Sequence, residues 1–188
     1  MSLRILSTTL AIGVAAALYA LPSPSVHAQA APAQRSSSST HEAPPPSASD
    51  QQFMKDLAEG NKAEIETGKL AQKSAASEDV KAFGTMMVDD HTRALQQLET
   101  LASHKGVQLP KSPNAKQASA AKSLQSLKGD SFDKRYATMA VSDHEETLAL
   151  LKKVEQNAKD ADLRKFAADT TPVVSRHLDH AKKLTGMR

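Results

Sequence analysis

From Asp50 onward, apolar residues recur at intervals of three and four, the signature of helices that bury one face. Phe53, Leu57, Gly60/Asn61, Glu64, Gly68 and Ala71 mark the first stripe, over about residues 50–75. The second opens at Ser77 and carries Phe83, Met87, His91, Ala94/Leu95, Leu98 and Leu101/Ala102. A third stripe starts at Asp130 or Ser131 and carries Phe132, Tyr136, Met139/Ala140, Asp143/His144, Thr147/Leu148, Leu151 and Val154, ending near Asn157. The fourth, over about 161–184, carries Leu163, Phe166/Ala167, Thr170, Val173/Val174, His177, Ala181 and Leu184. A shorter amphipathic piece over 114–128 offers Leu124 and Leu127 and stops at Gly129.

The punctuation agrees with these limits. Ser49 or Asp50 is the candidate N-cap of the first helix, because a short side-chain oxygen can accept from a free N–H of the opening turn. Glu78 and Asp79 favour the positive start of the second helix. Lys105-Gly106, with Pro110 and Pro113 beyond it, reads as its stop. Pro172 lies inside the fourth stripe and predicts a kink or a restart, since it lacks a backbone donor and crowds the preceding turn. No segment shows the period-2 alternation of a strand. Short links join the first helix to the second and the third to the fourth, which makes each pair antiparallel. The sum is an all-α four-helix bundle over residues 50–186, with a short extra helix between the second and third main helices.

Ahead of the bundle the pattern changes twice. Residues 1–28 carry Arg4, an apolar run from Ile5 to Leu21, and small residues at the exit. That is the layout of a secretory signal peptide. The run is shorter than the ~20 residues a spanning helix needs, so a retained anchor is disfavoured. Residues 29–49 are rich in Ala, Pro, Gln and Ser and hold almost no large apolar side chain. They read as a disordered linker, unable to bury enough surface to offset the entropy of ordering. The expected setting is therefore the periplasm.

Composition narrows the chemistry. The chain holds no cysteine, which removes disulfides, thiolate ligands and thiol nucleophiles. Loss of residues 1–28 removes only Arg4, so Lys+Arg falls from 24 to 23 against 21 Asp+Glu, a net charge of +2. The charges are interspersed, with no basic run and no interleaved aromatics, so no nucleic-acid partner is expected. Nothing reads as a spanning strand or helix after residue 28, which limits any membrane association to peripheral contact with the envelope. Metal-protease, phosphate-loop and serine-hydrolase motifs are all missing. Met54, Met86, Met87 and Met139 fall at helical spacing and read as core filling rather than soft copper ligands.

One feature runs against the stripes. Glu64, His91, His144 and His177 each lie near the midpoint of a different helix, on or beside its apolar face. In a bundle of equal helices the midpoints meet, so these four should share one central layer. Asp90 and Asp143 stand beside His91 and His144, and Tyr136 lies two turns before His144. Neighbours on a helix diverge by ~100°, so Asp90 and His91 cannot both point inward. A buried imidazole left unpaired costs ~1–3 kcal/mol, so the layer needs partners. Two arrangements supply them. In one, Glu64, Asp90, His91, Asp143, His144 and His177 hold a divalent transition metal, with Tyr136 supporting from outside. In the other, the same groups pair with one another and only set helix register. A metal-dependent oxidation remains as a third reading, but no catalytic residue can be named for it.

The segments Glu64-Ile-Glu-Thr-Gly-Lys-Leu-Ala71, Val80-Lys-Ala-Phe83 with Met87-Val-Asp-Asp-His91, Phe132-Asp-Lys-Arg-Tyr136, Asp143-His144, and Thr171-Pro-Val-Val-Ser-Arg-His177 resemble the bacterial family called domain of unknown function 4142. The resemblance spans about residues 50–186 and implies a ferritin-like fold, export, and no established activity. Some members carry the label of an outer membrane protein. The family's characteristic positions fall here on Glu64, Asp90, His91, Asp133, Tyr136, His144 and His177. True ferritins hold two irons through Glu-x-x-His pairs, and this chain has none. Iron storage is therefore not expected, and any metal site should be histidine-rich and mononuclear.

Overall fold

The computed structural model describes residues 45–186. The expected signal peptide, and the linker as far as residue 44, lie outside the described residues. Five helices follow: α1 (Ala48–Ser74), α2 (Glu78–His104), α3 (Ala115–Gln125), α4 (Gly129–Asn157) and α5 (Ala161–Thr185). The four long helices match the four stripes, and α3 is the short extra piece. Helix α1 packs mainly on α2, and α4 mainly on α5. The two hairpins then meet through α1 on α4 and α2 on α5, with α3 laid across α1 and α4.

Helix ends follow local chemistry, with one informative exception. Asn114 caps α3 in a reciprocal box with Gln117. Gly106 takes a left-handed φ of 67° just past α2, which a glycine adopts without a Cβ penalty. Of the kink or restart expected at Pro172, there is no restart: helix α5 runs through it. Just ahead of it, the Thr170 and Thr171 hydroxyls donate back to the carbonyls of Phe166 and Ala167. The exception is Asp50. Helix α1 is capped not by Ser49 or Asp50 but by Ser47, whose hydroxyl accepts from the Asp50 N–H. The Asp50 carboxylate is fully buried and accepts from the N–H groups of Lys159 and Asp160 at 3.0–3.2 Å. It ties the start of α1 to the α4–α5 link. Asp133 of α4 does the same for the α1–α2 link, accepting from Ala76 and Ser77 at 3.1 and 2.8 Å. Each hairpin's link is thus held by an aspartate from the other hairpin, and the orphan donors there are satisfied.

Helices α1 and α2 approach closely where Gly68 faces Gly84. A Cβ on Gly68 would stand 2.8 Å from the Gly84 carbonyl oxygen, and one on Gly84 2.8 Å from that of Gly68. The core divides into two apolar clusters. One contains Phe53, Met54, Leu57, Leu98, Leu151, Leu163 and Phe166. The other contains Phe83, Met87, Leu124, Phe132, Tyr136 and Ala181. Each long helix contributes to one cluster, then a buried polar residue, then to the other cluster. That polar band is Asn61, Glu64, His91, His144 and His177. No helix among the described residues is long and apolar enough to cross a membrane.

Candidate metal centre

The three histidines come from α2, α4 and α5, each on the inward face of its stripe, and are 6 %, 1 % and 2 % exposed. Ring centroids lie 5.8 Å apart for His91–His144 and 5.4 Å for both other pairs. One ring nitrogen from each lies within 4.8 Å of the other two.

Hydrogen bonds decide the protons. His91 Nδ1 is 2.9 Å from Asn61 Oδ1. The amide nitrogen of Asn61 donates to the Leu57 carbonyl at 2.7 Å, so its oxygen must face the histidine. An amide oxygen only accepts, so His91 Nδ1 carries the proton. His144 Nδ1 lies 2.7 Å from the Ala140 carbonyl oxygen, so it too carries the proton. His177 Nε2 donates to Asp90 Oδ2 at 2.8 Å. Asp90 in turn pairs with Arg93 one turn on. What remains is Nε2 of His91, Nε2 of His144 and Nδ1 of His177. All three are buried without a hydrogen-bond partner. With the other nitrogens protonated, each is an acceptor lone pair.

Electrostatics keeps these rings neutral. Burial lowers the His91 pKa well below its ordinary 6.5, and His144 and His177 push it further the same way. Burial also lowers His144 and His177, against the opposing pull of the Ala140 and Asp90 hydrogen bonds. A charged imidazolium in this dry band is unfavourable, so the lone pairs stay available.

The carboxylates take separate places. Glu64 Oε1 is 3.8 Å from His144 Nδ1, beyond hydrogen-bond range, and that N–H already belongs to Ala140. Burial pushes the Glu64 carboxyl up to about 7. Asp143 is half-buried and faces a cleft of about 350 Å³ between α1, α3 and α4, which Glu64 also lines. Burial first, and then the charges of Glu64 and Glu146, push Asp143 up to about 6. Asp90 serves His177 on another helix rather than its own neighbour His91. Tyr136 is fully buried, stacked on Phe132, and its hydroxyl reaches none of the histidines. His180 packs its ring on the edge of Phe83 and is not part of the cluster. Asn61 stands on the first stripe but was not among the expected site residues. Its signal was a polar side chain on the buried face of α1, one turn before Glu64. Asp133, a characteristic position of the resembling family, turns out to hold the α1–α2 link and lies outside this site.

Fold and site together define an all-helical bundle with three clustered, buried imidazoles in its core. The chain belongs to the family described as Domain of unknown function (DUF4142), whose sequence model matches residues 35–184. No curated protein matches it. Among solved structures, the bundle is similar to a DUF305 fragment from Deinococcus radiodurans. The TM-score is 0.68 at 10% identity, covering 76% of this chain and 99% of that one. It is also similar to CopM in its Cu(II)-bound form, with a TM-score of 0.62 at 15% identity, covering 73% of this chain and 95% of that one. At these identities the likeness is one of fold.

Proposed function

We propose that this chain is an exported metal-binding bundle that holds one divalent transition-metal ion through His91 Nε2, His144 Nε2 and His177 Nδ1. The observation that carries the reading is that each of three buried histidines has one ring nitrogen without a partner and can bring a ring nitrogen within 4.8 Å of the other two. A metal-free packing network has to pair these nitrogens, and among the described residues no donor lies within hydrogen-bond range of any of the three. One water molecule has two O–H bonds and would leave the third nitrogen unmatched. A cation accepts all three at once. The centre of a triangle with 4.8 Å sides lies ~2.8 Å from each corner, so shifts under ~1 Å reach the ~2.0–2.1 Å of an imidazole–zinc bond.

The outer partners favour the same reading. Asn61, the Ala140 carbonyl and Asp90 each fix one ring's tautomer and orientation, as the second nitrogen of a metal-bound histidine requires. Glu64 stands beside the cluster as a fourth donor. Imidazole suits zinc, copper, iron and nickel, and Cu(II) stands highest in the affinity order of these divalent ions. CopM shares the fold and has been solved with Cu(II) bound, which makes copper the first ion to test beside zinc.

The test uses mature protein purified without a histidine tag, titrated with Zn²⁺ and Cu²⁺ beside a His91→Leu/His144→Leu variant. One ion per chain is expected in the parent and none at this site in the variant. An ion at a hundred times its dissociation constant should stabilise the folded parent by ~2.7 kcal/mol. Negligible binding by the parent, or equal binding by the variant, refutes the metal reading.

A further inference from the structure

The histidines are almost wholly enclosed, so an ion needs a way in, and two grooves reach toward them. The first is the cleft between α1, α3 and α4. Asp56, Glu59, Glu64, Asp143 and Glu146 line it, against Lys116 as the only cation there among the described residues. The second lies between α2 and α5. There Asp90, Asp162 and Asp169 are matched by Arg93, Lys165 and Arg176. The first groove is strongly negative and the second is balanced. Only the first has a carboxyl this deeply set at its inner wall. Glu64 is 6 % exposed and makes no hydrogen bond through its carboxyl. Glu64 also lines a small cavity of about 30 Å³ whose wall includes Asn61 and His91. It therefore borders both the cleft and the space against His91.

We propose that the acidic cleft is the loading port of the metal site: it gathers a hydrated divalent cation, and Glu64 passes the ion from the cleft to His91, His144 and His177. This rests on the metal reading above. Oxygen donors suit a cation that still carries water, and imidazoles suit it once water is shed. A cleft of one sign with apolar walls concentrates counter-ions and raises their association rate. The neighbouring groove cannot do this, because its charges cancel.

The experiment is stopped-flow uptake of Zn²⁺ from a chromophoric indicator by mature protein, at low and high salt. Asp56→Asn/Glu59→Gln removes two charges from the cleft without touching the histidines or Glu64. Uptake should slow about tenfold at low salt and converge on the parent at high salt, while the final stoichiometry stays the same. Lys116→Gln removes the opposing cation and should speed uptake at low salt and converge on the parent at high salt, which a loosened fold would not do. Asp162→Asn/Asp169→Asn removes two charges from the other groove and should leave the rate close to the parent's. Equal rates in parent and Asp56→Asn/Glu59→Gln, or equal slowing by the control pair, overturn the port while leaving the histidine site intact. If the parent takes up no zinc at all, the site and its port fall together.

Discussion

Leu151 and His144 sit two turns apart on the same stripe of α4, and both are buried to 1 % exposure or less. Leu151 belongs to an apolar cluster with Leu57, Leu98 and Leu163, where burial is favourable throughout. His144 lies in the polar band between the two clusters, with one nitrogen bonded to Ala140 and the other unmatched. The apolar clusters stabilise the bundle by removing surface from water. The band does the opposite, since three unpaired acceptors and a buried carboxyl each lose hydration without full return. Two positions with the same burial on the same helix thus differ in what they contribute. One holds the fold, and the other is a cost that a bound cation would offset.

Three substitutions sharpen or break that comparison. The largest effect is expected from Leu151→Ala, which should destabilise the protein by ~2–5 kcal/mol in urea unfolding through lost burial and a residual cavity. A loss of only a few tenths would mean the cluster is loosely packed, and the contrast with the band would fail.

Next comes Glu64→Gln, read as a function of pH. Burial raises the folded carboxyl from 4.5 to about 7. A raised folded pKa contributes stability below the unfolded value and loses it as pH climbs through the folded one. The parent should therefore lose up to ~3 kcal/mol from this group between about pH 4.5 and 7. Glutamine cannot ionise, so the variant should match the parent near pH 4 and exceed it above pH 8. The histidines run the other way. Their folded pKa values lie below 6.5, so their contribution is present above pH 6.5 and lost as pH falls. In Glu64→Gln that acid-side loss should remain, together with a smaller loss from Asp143 as pH rises toward about 6. A stability difference that is flat with pH would show that Glu64 is better hydrated than its burial implies.

The smallest effect is expected from His144→Leu in metal-free protein, within ~1 kcal/mol of the parent or slightly stabilising. It removes an unmatched acceptor and strands nothing, because the Ala140 carbonyl lies in the helical ladder of α4. A loss as large as that of Leu151→Ala would mean that His144 supports the fold as an ordinary core residue does.

Much of this architecture was legible along the chain. The three- and four-residue stripes set the four long helices, and their ends fell within about two residues of the expected positions. The mid-helix placement of His91, His144 and His177 was readable because helices of similar length put their midpoints at one height. Asp50 shows where such reading stops. A serine, aspartate or asparagine at a helix start looks like a cap, and nothing local tells Ser47 from Asp50. What separates them is the α4–α5 link, more than a hundred residues away, whose two free N–H groups draw the carboxylate across. Asp143 is a second case. Its stripe position equals that of His144, but the ~100° between neighbours turned one toward the other histidines and the other toward the cleft.

By itself, then, the order of apolar and polar residues determined the helices, their pairing into hairpins and the height of the polar band, because backbone hydrogen bonding and burial act within a few turns. Only the tertiary structure decided which nitrogen of each histidine is free. That choice rests on acceptors fixed by packing: Asn61 of α1 for His91, the α4 carbonyl of Ala140 for His144, and Asp90 of α2 for His177. Two of the three come from a different helix, and no spacing along the chain encodes which partner a ring will meet once the hairpins close.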